Sequence, residues 1–427
     1  MVTIAEIGRR LRAREVSVRE LVEESLRAVA RENPRLNAFI TVTEEAARAR
    51  AVELDAMLGR GVSLGPLHGV PIAHKDCILT RGVRTTGGSK IFANYIPRRD
   101  AEVVERLHAA GAVMIGKTGL HELTYGITNV NPHYGAVRNP HDVKRVSGGS
   151  SGGSAVAVAA GLVAMATGTD TGGSIRIPAS FCGCVGLKPT YDALSRKGVM
   201  PLGPSQDHVG PMTQTVADAV LAFEAMGGRV PERHGPVRVG VPRDYFFDGL
   251  DDEVRKAVER AASRVGAREV LLPDMEPLME IARVTLLSEA AAALGKYAKN
   301  PKDFGADVWA LLEKGRMVTA AEYLDAQRRR KKVAREFARI WKDCDCLLTP
   351  ATPFPAFPIK HAADLRPMAT RLTRPFNLLG WPALAMPCGV TKRGLPIGLQ
   401  LVAAPGREDV VFEVGERLEL TLNFHPR

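Results

Sequence analysis

Two stretches rich in glycine and hydroxyl side chains lie close together in this chain of 427 residues. The first is Ser147-Gly-Gly-Ser-Ser-Gly-Gly-Ser154 and the second is Thr169-Asp-Thr-Gly-Gly-Ser-Ile-Arg176. Because ordering glycine is entropically costly, this density indicates backbone that adopts positive φ or approaches a ligand closely. The apolar segment 155–167 between them predicts burial, which would hold both stretches against the core and argues against a flexible linker.

Three kinds of chemistry use such a pattern. A phosphate-binding loop needs a lysine directly after its last glycine, but Ser154 and Ala155 stand there. A nucleophile elbow fits the letters Gly148-Gly-Ser-Ser-Gly152, but it requires a buried strand before it, and residues 139–145 are polar. A serine hydrolase with a lysine base is the third possibility, because serine is a weak nucleophile that needs a base to activate it.

Lys75 is the candidate base for that third chemistry. A lysine accepts a proton only when neutral, so its pKa must fall several units from about 10.4, as burial can achieve. Lys75 follows the apolar residues 70–73, and Asp76 is the nearest acid. A lysine at a strand end is more often a solvated surface group, so the position alone does not assign the role.

The elements that must position these residues begin with helices. Ser17 is predicted to cap a helix whose apolar residues recur at helical spacing and which ends before Pro34. A second, alanine-rich helix is predicted over 44–58. Residues 1–60 are therefore predicted to form a helical N-terminal segment.

Short apolar strands then alternate with helices. Strands are predicted at 69–73, 112–115, 237–241, 269–272, 346–349 and 383–386. Helices are predicted after an Asp100 cap through residue 110, and at 251–265, 320–341 and 409–418. The alternation predicts an α/β fold, a sheet covered by helices on both faces. Residues 296–374, with two long helices and a proline-rich segment, are predicted to form a helical cap over one end of the sheet.

The formal net charge of +11 raises the question of an acidic partner. The densest basic cluster, residues 328–332, lies in the predicted helix 320–341 and points to all sides of it. No aromatic residues interleave these charges as in a nucleic-acid stacking platform, so a solvated helix surface is favoured over RNA binding.

Metal binding and membrane insertion are not favoured by the sequence. The six cysteines include the C-x-C pairs Cys182/Cys184 and Cys344/Cys346, a spacing unlike structural zinc sites, so reduced and mostly buried thiols are expected. The longest apolar run, 155–166, is shorter than the roughly 20 residues of a membrane-spanning helix. The arginine-rich start has no apolar stretch behind it, unlike a secretory signal. We therefore expect a soluble, cytoplasmic protein.

Several motifs together resemble the amidase-signature family. They are Gly69-Val-Pro-Ile-Ala-His-Lys-Asp76, the first glycine/serine stretch, Asp170-Thr-Gly-Gly-Ser-Ile-Arg176 and Phe181-Cys-Gly-Cys-Val-Gly-Leu-Lys-Pro-Thr190. The similarity extends to Gly394-Leu-Pro-Ile-Gly-Leu-Gln400, so it covers nearly the whole chain. It implies one large α/β/α domain over residues 1–427, built around a mixed β-sheet, with no metal and no organic cofactor.

The resemblance also implies roles for particular residues. Ser174 would be the nucleophile, Ser150 the proton bridge after a cis peptide bond, and Lys75 the base. The backbone N–H groups of Thr171, Gly172, Gly173 and Ser174 would bind the oxyanion. Asp170 and Arg176 would fix the loops, whereas without the resemblance they would be interpreted as a surface salt bridge. The implied reaction is hydrolysis of a linear carboxamide through an acyl-enzyme.

The identity of the amide stays open. The stretches His121-Glu-Leu-Thr-Tyr-Gly-Ile-Thr-Asn129 and 311–323 resemble stand-alone amidases acting on small molecules. Residues 170–190 and the basic balance would also suit the amidase-type component of a tRNA-dependent glutamine/asparagine amidotransferase, the one interpretation in which nucleic acid is a partner. An inactive binding module is a third alternative, and a homodimer is left open. The acyl pocket is expected to be lined by residues 126–131, Tyr191 and the cap.

Overall fold

The computed structural model describes residues 3–232 and 235–422. Residues 1–2 and 423–427, the two ends of the predicted domain, lie outside the described part, as do residues 233–234. Within it, one mixed β-sheet of eleven strands is flanked by fourteen α-helices. The predicted α/β fold with a mixed sheet covered by helices is confirmed.

The strands carry the following bounds: β1 Phe39–Val42, β2 Pro71–Lys75, β3 Val113–Thr118, β4 Met165–Asp170, β5 Val185–Lys188, β6 His208–Thr213, β7 Val239–Pro242, β8 Arg268–Val270, β9 Cys346–Pro350, β10 Ala383–Val390 and β11 Pro396–Ala403. Their order across the sheet is β1-β3-β2-β4-β6-β5-β10-β11-β9-β7-β8. The last two strands therefore lie in the middle of the sheet, beside β5 from the first half of the chain.

The helices carry the following bounds: α1 Ile4–Arg12, α2 Val18–Leu36, α3 Glu44–Gly59, α4 Glu102–Ala109, α5 Gly152–Ala159, α6 Arg176–Cys182, α7 Val216–Ala225, α8 Asp252–Arg264, α9 Glu276–Leu294, α10 Ala306–Arg316, α11 Ala320–Phe337, α12 Ala362–Ala369, α13 Arg374–Leu378 and α14 Glu408–Leu422. Each of the predicted helices has a counterpart among these. α9 was not predicted, although it contributes to the site described below.

The pairing of β2 with β4 positions the candidate site. The two strands are parallel, and His74 is in register with Thr167. Their carboxyl ends therefore meet at one edge of the sheet, where parallel strands of α/β proteins place their functional loops. Lys75 ends β2 and Asp170 ends β4, so the candidate base lies beside the start of the loop that carries Ser174.

All six predicted strands are present, whereas β1, β4, β5, β6 and β11 were missed. β4 illustrates the cause, because its sequence Met-Ala-Thr-Gly-Thr-Asp neither alternates nor is wholly apolar. All six of its residues are buried, since both faces of the central sheet are covered. A strand buried on both faces loses the period-two pattern by which strands are recognised.

Two predictions about helix ends need correction. Ser17 caps α2 in a capping box with Glu20, as predicted, but α2 continues past Pro34 to Leu36. The proline lies in the last turn, and the Asn37 N–H still donates to the Asn33 carbonyl at 2.7 Å, so little bonding is lost. Asp100 does not cap α4: its Oδ1 accepts from the Arg81 N–H at 2.7 Å, and Ala101 is the N-cap residue.

Residues 296–374 combine helices with the strand predicted at 346–349. They contain α10, α11 and α12 together with this strand, β9, which lies between β11 and β7 inside the sheet. The prediction that the basic cluster 328–332 is a solvated helix surface is wrong for Arg330. This residue is partly buried, and its Nε donates to the Leu378 carbonyl at 3.0 Å. Its Nη1 also donates to Ser205 Oγ at 2.9 Å. This arginine therefore ties α11 to α13.

The six cysteines are all buried and unpaired, as expected for reduced thiols. Within residues 3–232 and 235–422, no group of three or more His, Cys, Asp or Glu side chains is arranged to hold a metal ion. None of the described helices is both long enough and apolar enough to cross a membrane.

Candidate active site

Lys75 lies wholly inside the protein, as do the other four residues of β2. Its Nζ lies 2.7 Å from Ser150 Oγ and 2.7 Å from Thr169 Oγ1. Burial lowers the pKa of Lys75 to about 8, against the opposing effects of Cys77 and Asp170. The environment therefore favours the neutral amine far more than water does.

Ser150 is held next to this amine by the backbone around it. The Gly149–Ser150 peptide bond is cis, as the family resemblance implies. The Ser150 carbonyl accepts a hydrogen bond from the His121 N–H at 3.3 Å, and the Ser150 side chain is fully buried. The hydroxyl group is thus fixed close to Lys75 rather than free in solvent.

Ser151 connects the two glycine/serine stretches. Its N–H donates to the Ser174 carbonyl at 3.1 Å, and its Oγ donates to the Thr169 carbonyl at 3.1 Å. The Thr169 N–H donates back to Ser151 Oγ at 3.2 Å. The stretch that carries Ser150 and the stretch that carries Ser174 therefore form one hydrogen-bonded unit.

The glycines of the first stretch are required by close packing. All residues from Ser147 to Ser154 are buried, so the prediction that the core fixes this stretch is confirmed. A Cβ added to Gly153 would lie 2.5 Å from the carbonyl oxygen of Ala38 and 2.5 Å from the backbone of Gly119. Those neighbours are main-chain atoms that cannot move aside cheaply, so only glycine fits.

Asp170 and Arg176 form a buried ion pair, not a surface one. Arg176 Nη2 lies 3.0 Å from Asp170 Oδ1, and both side chains are fully buried. Burial by itself would raise the pKa of the Asp170 carboxyl, but the Arg176 charge and a hydrogen bond from Asn377 hold that pKa well below its usual range. The carboxylate is therefore ionised and fixed.

This ion pair shapes the loop that carries Ser174. Asp170 Oδ1 accepts from the Gly173 N–H at 2.7 Å, and Oδ2 accepts from the Ile175 N–H at 3.1 Å. On its other side, Arg176 Nη1 donates to Gln400 Oε1 at 2.9 Å. The loop is thereby connected to β11, near the far end of the sequence.

One of the predicted oxyanion donors is already engaged. The Gly173 N–H points at Asp170, as above, and Gly173 adopts a φ of +125°, which favours glycine. Among the described residues, the N–H groups of Thr171, Gly172 and Ser174 make no hydrogen bond. These three groups remain available to a bound oxyanion, so Gly173 supports the loop and does not act as a donor in this arrangement.

Ser174 opens onto a cavity of about 510 Å³. Thr171 and Gly172 line the same cavity, which places the predicted nucleophile and the available N–H groups on one wall. The remaining lining residues come from the 124–127 loop, Leu202, α9, α10 and the segment from Ala363 to Arg374. The volume falls within the roughly 300–1,000 Å³ usual for small-molecule sites.

Two predictions about the pocket hold and one is wrong. Gly126 and Ile127 line the cavity, as does part of the 296–374 region. Tyr191 does not, because its hydroxyl donates to the Pro204 carbonyl at 2.8 Å and the Arg196 guanidinium lies 4.6 Å above its ring. The α9 wall was missed, since that helix precedes the predicted cap and carries no recognisable motif.

Three supporting residues were also assigned no role in advance. Thr169 contacts Lys75 and lies inside the motif singled out above, so its proximity could have been inferred. Asn377 Nδ2 donates to Asp170 Oδ1 at 2.8 Å, and Gln400 holds Arg176. These two residues lie about 200 positions away in sequence, and only the fold brings them to the loop.

The family model described as Amidase matches residues 20–412. The match covers most of the chain, and the fold and the serine- and glycine-rich loops agree with it. The chain therefore belongs to the Amidase family. This is the amidase-signature family that the sequence motifs resemble.

Individual relatives fall into two groups. The A-type subunit of the glutamyl-tRNA(Gln) amidotransferase of Geobacillus stearothermophilus, called GatA below, is 39% identical over 474 residues, covering 99% of this chain and 98% of that protein. A crystal structure of an amidase is similar with a TM-score of 0.92 and 38% identity, covering 98% of this chain and 99% of that one. The GatA structure from Thermotoga maritima gives a TM-score of 0.79 and 32% identity, covering 95% and 92%.

Proposed function

We propose that this protein is an amidohydrolase that cleaves a carboxamide through an acyl-enzyme on Ser174. The observation that carries the proposal is the 2.7 Å separation of Lys75 Nζ from Ser150 Oγ inside the protein. A buried lysine with a lowered pKa beside a serine is typical of a proton-transfer site. The cavity at Ser174 supplies the space for a substrate carbonyl.

The first step forms the acyl-enzyme. Ser174 Oγ attacks the amide carbonyl carbon, its proton passes to Ser150 Oγ, and the proton of Ser150 passes to neutral Lys75. The carbonyl oxygen becomes an oxyanion, which the N–H groups of Thr171, Gly172 and Ser174 would bind. Losing one such donor typically costs about 10²–10³ in rate.

The second step expels the amine. The C–N bond breaks, and the proton held by Lys75 returns through Ser150 to the leaving nitrogen. Water then attacks the ester on Ser174 with the same relay acting as base, which releases the carboxylic acid. The cycle balances without a metal or an organic cofactor taking part.

One contact of this relay is not formed without substrate. Among the described residues, no hydrogen bond joins the hydroxyls of Ser150 and Ser174. Catalytic hydrogen bonds are often long in unliganded enzymes and tighten when substrate binds, so the missing contact does not argue against the relay. The backbone link between Ser151 and Ser174 already holds the two loops together.

A stand-alone amidase is the favoured form of this function. The similarity to the amidase structure, with a TM-score of 0.92, supports it, as do the 121–129 and 311–323 stretches. The alignment with GatA of Geobacillus stearothermophilus runs over 474 residues, whereas this chain has 427. The relative therefore contains segments that this chain lacks. The second candidate is GatA itself, which the 39% identity favours and which would act on glutamine within a complex that includes tRNA.

The test compares the native chain with Ser174→Ala on glutamine, asparagine and simple aryl amides. We expect hydrolysis by the lone native chain and a loss of kcat of at least about 10³-fold in the variant. Ser263→Ala, an exposed serine on α8, is the matched control and should retain full activity. Adding hydroxylamine should divert the product to a hydroxamate, which reports the acyl-enzyme directly.

Other outcomes distinguish the alternatives. Hydrolysis of glutamine that requires added partner chains and tRNA would favour the amidotransferase function. No turnover of any amide by either the native chain or Ser174→Ala would favour a binding module on the same fold. Hydrolysis that survives Ser174→Ala would remove the proposed nucleophile.

A further inference from the structure

The cavity at Ser174 carries more positive than negative charge. Arg283 of α9, Lys314 of α10 and Arg374 at the start of α13 all line it. Asp307 is its one acidic lining residue among the described residues. Its Oδ2 lies 2.9 Å from His121 Nε2, so part of its charge faces that histidine and not the cavity.

Arg283 and Lys314 are not used to stabilise the fold. Both are exposed, and neither forms an ion pair or a side-chain hydrogen bond with any described residue. Other basic side chains nearby are paired: Arg329 lies 2.9 Å from Glu280, and Arg316 lies 2.5 Å from Glu313. Two exposed, unpaired cations in the lining of a cavity indicate attraction for an anion.

Arg374 also lines the cavity, and it lies near the predicted nucleophile. Its Nε is 3.6 Å from the position that a Cβ on Gly172 would occupy, beside the loop that carries Ser174. Several other lining residues are apolar, among them Leu202, Leu286, Leu287 and Leu311. The lining of the cavity thus combines apolar side chains with three cationic ones.

The relay determines which part of the substrate fills this cavity. Protons reach the leaving nitrogen from Ser150, and neither Ser150 nor Lys75 lines the cavity. The leaving group therefore points towards the buried Ser150 side, and the acyl part points the other way, into the cavity.

We propose that the acyl part of the substrate ends in a carboxylate, bound by Arg283 and Lys314, so that the substrate is the half-amide of a dicarboxylic acid. This inference depends on the proposed hydrolase function. Arginine and lysine form strong charge-assisted hydrogen bonds with carboxylates, and a partly enclosed cavity strengthens them. The apolar wall accommodates the methylene groups between the carboxylate and the amide.

The test uses matched pairs of amides. The half-amides of succinic, glutaric and adipic acid are each compared with the neutral amide in which a methyl ketone replaces the carboxylate. We expect kcat/KM of the best half-amide to exceed that of its neutral partner by at least about 10-fold. We also expect this preference to shrink at high ionic strength, since the cations are exposed.

Substitutions assign the preference to particular side chains. Arg283→Gln and Lys314→Gln should each lower the preference for the half-amide, the ratio of its kcat/KM to that of its neutral partner, about 10-fold. Lys331→Gln on α11 makes the same change in net charge at an exposed position outside the cavity, and it should alter neither substrate. Equal activity on both members of every pair, or an unchanged preference in both variants, would overturn the inference.

A binding measurement separates this inference from the proposed hydrolysis. Glutarate, the product that one half-amide would give, is titrated into Ser174→Ala by calorimetry, which needs no turnover. We expect binding that weakens about 10-fold in the Arg283→Gln and Lys314→Gln backgrounds. Glutarate binding that depends on Arg283 and Lys314, without hydrolysis of any amide, would contradict the proposed hydrolase function and support the carboxylate-binding site. Hydrolysis of neutral amides without glutarate binding would support the hydrolase function and contradict the carboxylate-binding site.

Discussion

Asp170 and Arg176 lie side by side at the end of β4, joined by two hydrogen bonds of 3.0 Å between Oδ1 and Nη2 and between Oδ2 and Nε. The same carboxylate receives the Gly173 N–H, one residue before Ser174. A single ion pair, closed off from water, therefore determines the backbone on which the candidate nucleophile sits. Its removal should affect stability and activity together.

The first prediction concerns this pair. Asp170→Asn preserves the side-chain volume but leaves the Arg176 charge buried without a counter-ion, which typically costs about 3–5 kcal/mol. We expect a loss of that order in the free energy of unfolding, measured by urea denaturation. Asp192→Asn is the control, because it breaks an exposed pair with Arg196 and should cost less than about 1 kcal/mol. Equal effects of the two changes would contradict the structural role of Asp170.

The second prediction concerns the pH dependence of catalysis. Burial lowers the pKa of Lys75 to about 8, and only the neutral amine accepts a proton. We therefore expect kcat/KM on an uncharged amide to rise about tenfold per pH unit below that value and to level off above it. Rate measurements between about pH 6 and 9.5 test this. A profile that is flat across pH 8 would exclude Lys75 as the base.

The third prediction concerns the packing of the first glycine/serine stretch. Gly153→Ala would place a methyl group 2.5 Å from the Ala38 carbonyl oxygen. We expect a destabilisation of about 3 kcal/mol or more, seen as a lowered Tm, since the clash is with main-chain atoms. Gly59→Ala, at the end of α3 with open space around it, should be neutral or slightly stabilising. Two similar Tm values would show that Gly153 is not packed as described.

The fourth prediction concerns Glu419 of α14, whose Oε1 accepts from the Val216 N–H at 2.9 Å. Burial raises the pKa of this carboxyl from 4.5 to about 7, so the folded protein holds its proton more tightly than the unfolded chain. The stability this contributes is fully present below about pH 4.5 and is lost as the pH rises through 7.

Glu419→Gln removes that pH dependence, because the amide keeps an acceptor for Val216 and never ionises. We expect the variant to be about 1–3 kcal/mol more stable than the native protein at pH 8 and nearly equal to it at pH 5, by chemical denaturation. Glu416→Gln, exposed on the same helix, should change little at either pH. A variant that is less stable than the native protein at pH 8 would contradict the assignment.

Much of the site was accessible from sequence because its parts are local. Lys75 lies two residues after the apolar run 70–73, and the glycine/serine stretches are compositionally unusual, so each was found without a structure. What joins them is the parallel pairing of β2 and β4, and β4 was not predicted, because a strand buried on both faces has no alternating pattern. The prediction that Lys75 lies beside the glycine/serine stretches was implied by the family resemblance and not by the spacing of apolar residues.

The remaining parts of the site depend on long-range contacts. Asn377 and Gln400 reach Asp170 and Arg176 from the last quarter of the chain, and no spacing rule links them. Arg283 sits on an unremarkable helix, and its relevance follows only from the cavity it lines. Gly173 shows the converse, because the motif indicated a donor to the substrate whereas the fold directs that N–H to Asp170.

The placement of β10 and β11 between β5 and β9 has a consequence for synthesis. As the nascent chain leaves the ribosome, the edge of β5 that pairs with β10 stays unpaired until nearly all later residues have emerged. An unpaired strand edge invites association with other chains, so this interval is when the protein is most exposed to misassembly. Because Gln400 of β11 also holds Arg176, the loop that carries Ser174 would acquire its final shape only when the C-terminal strands dock.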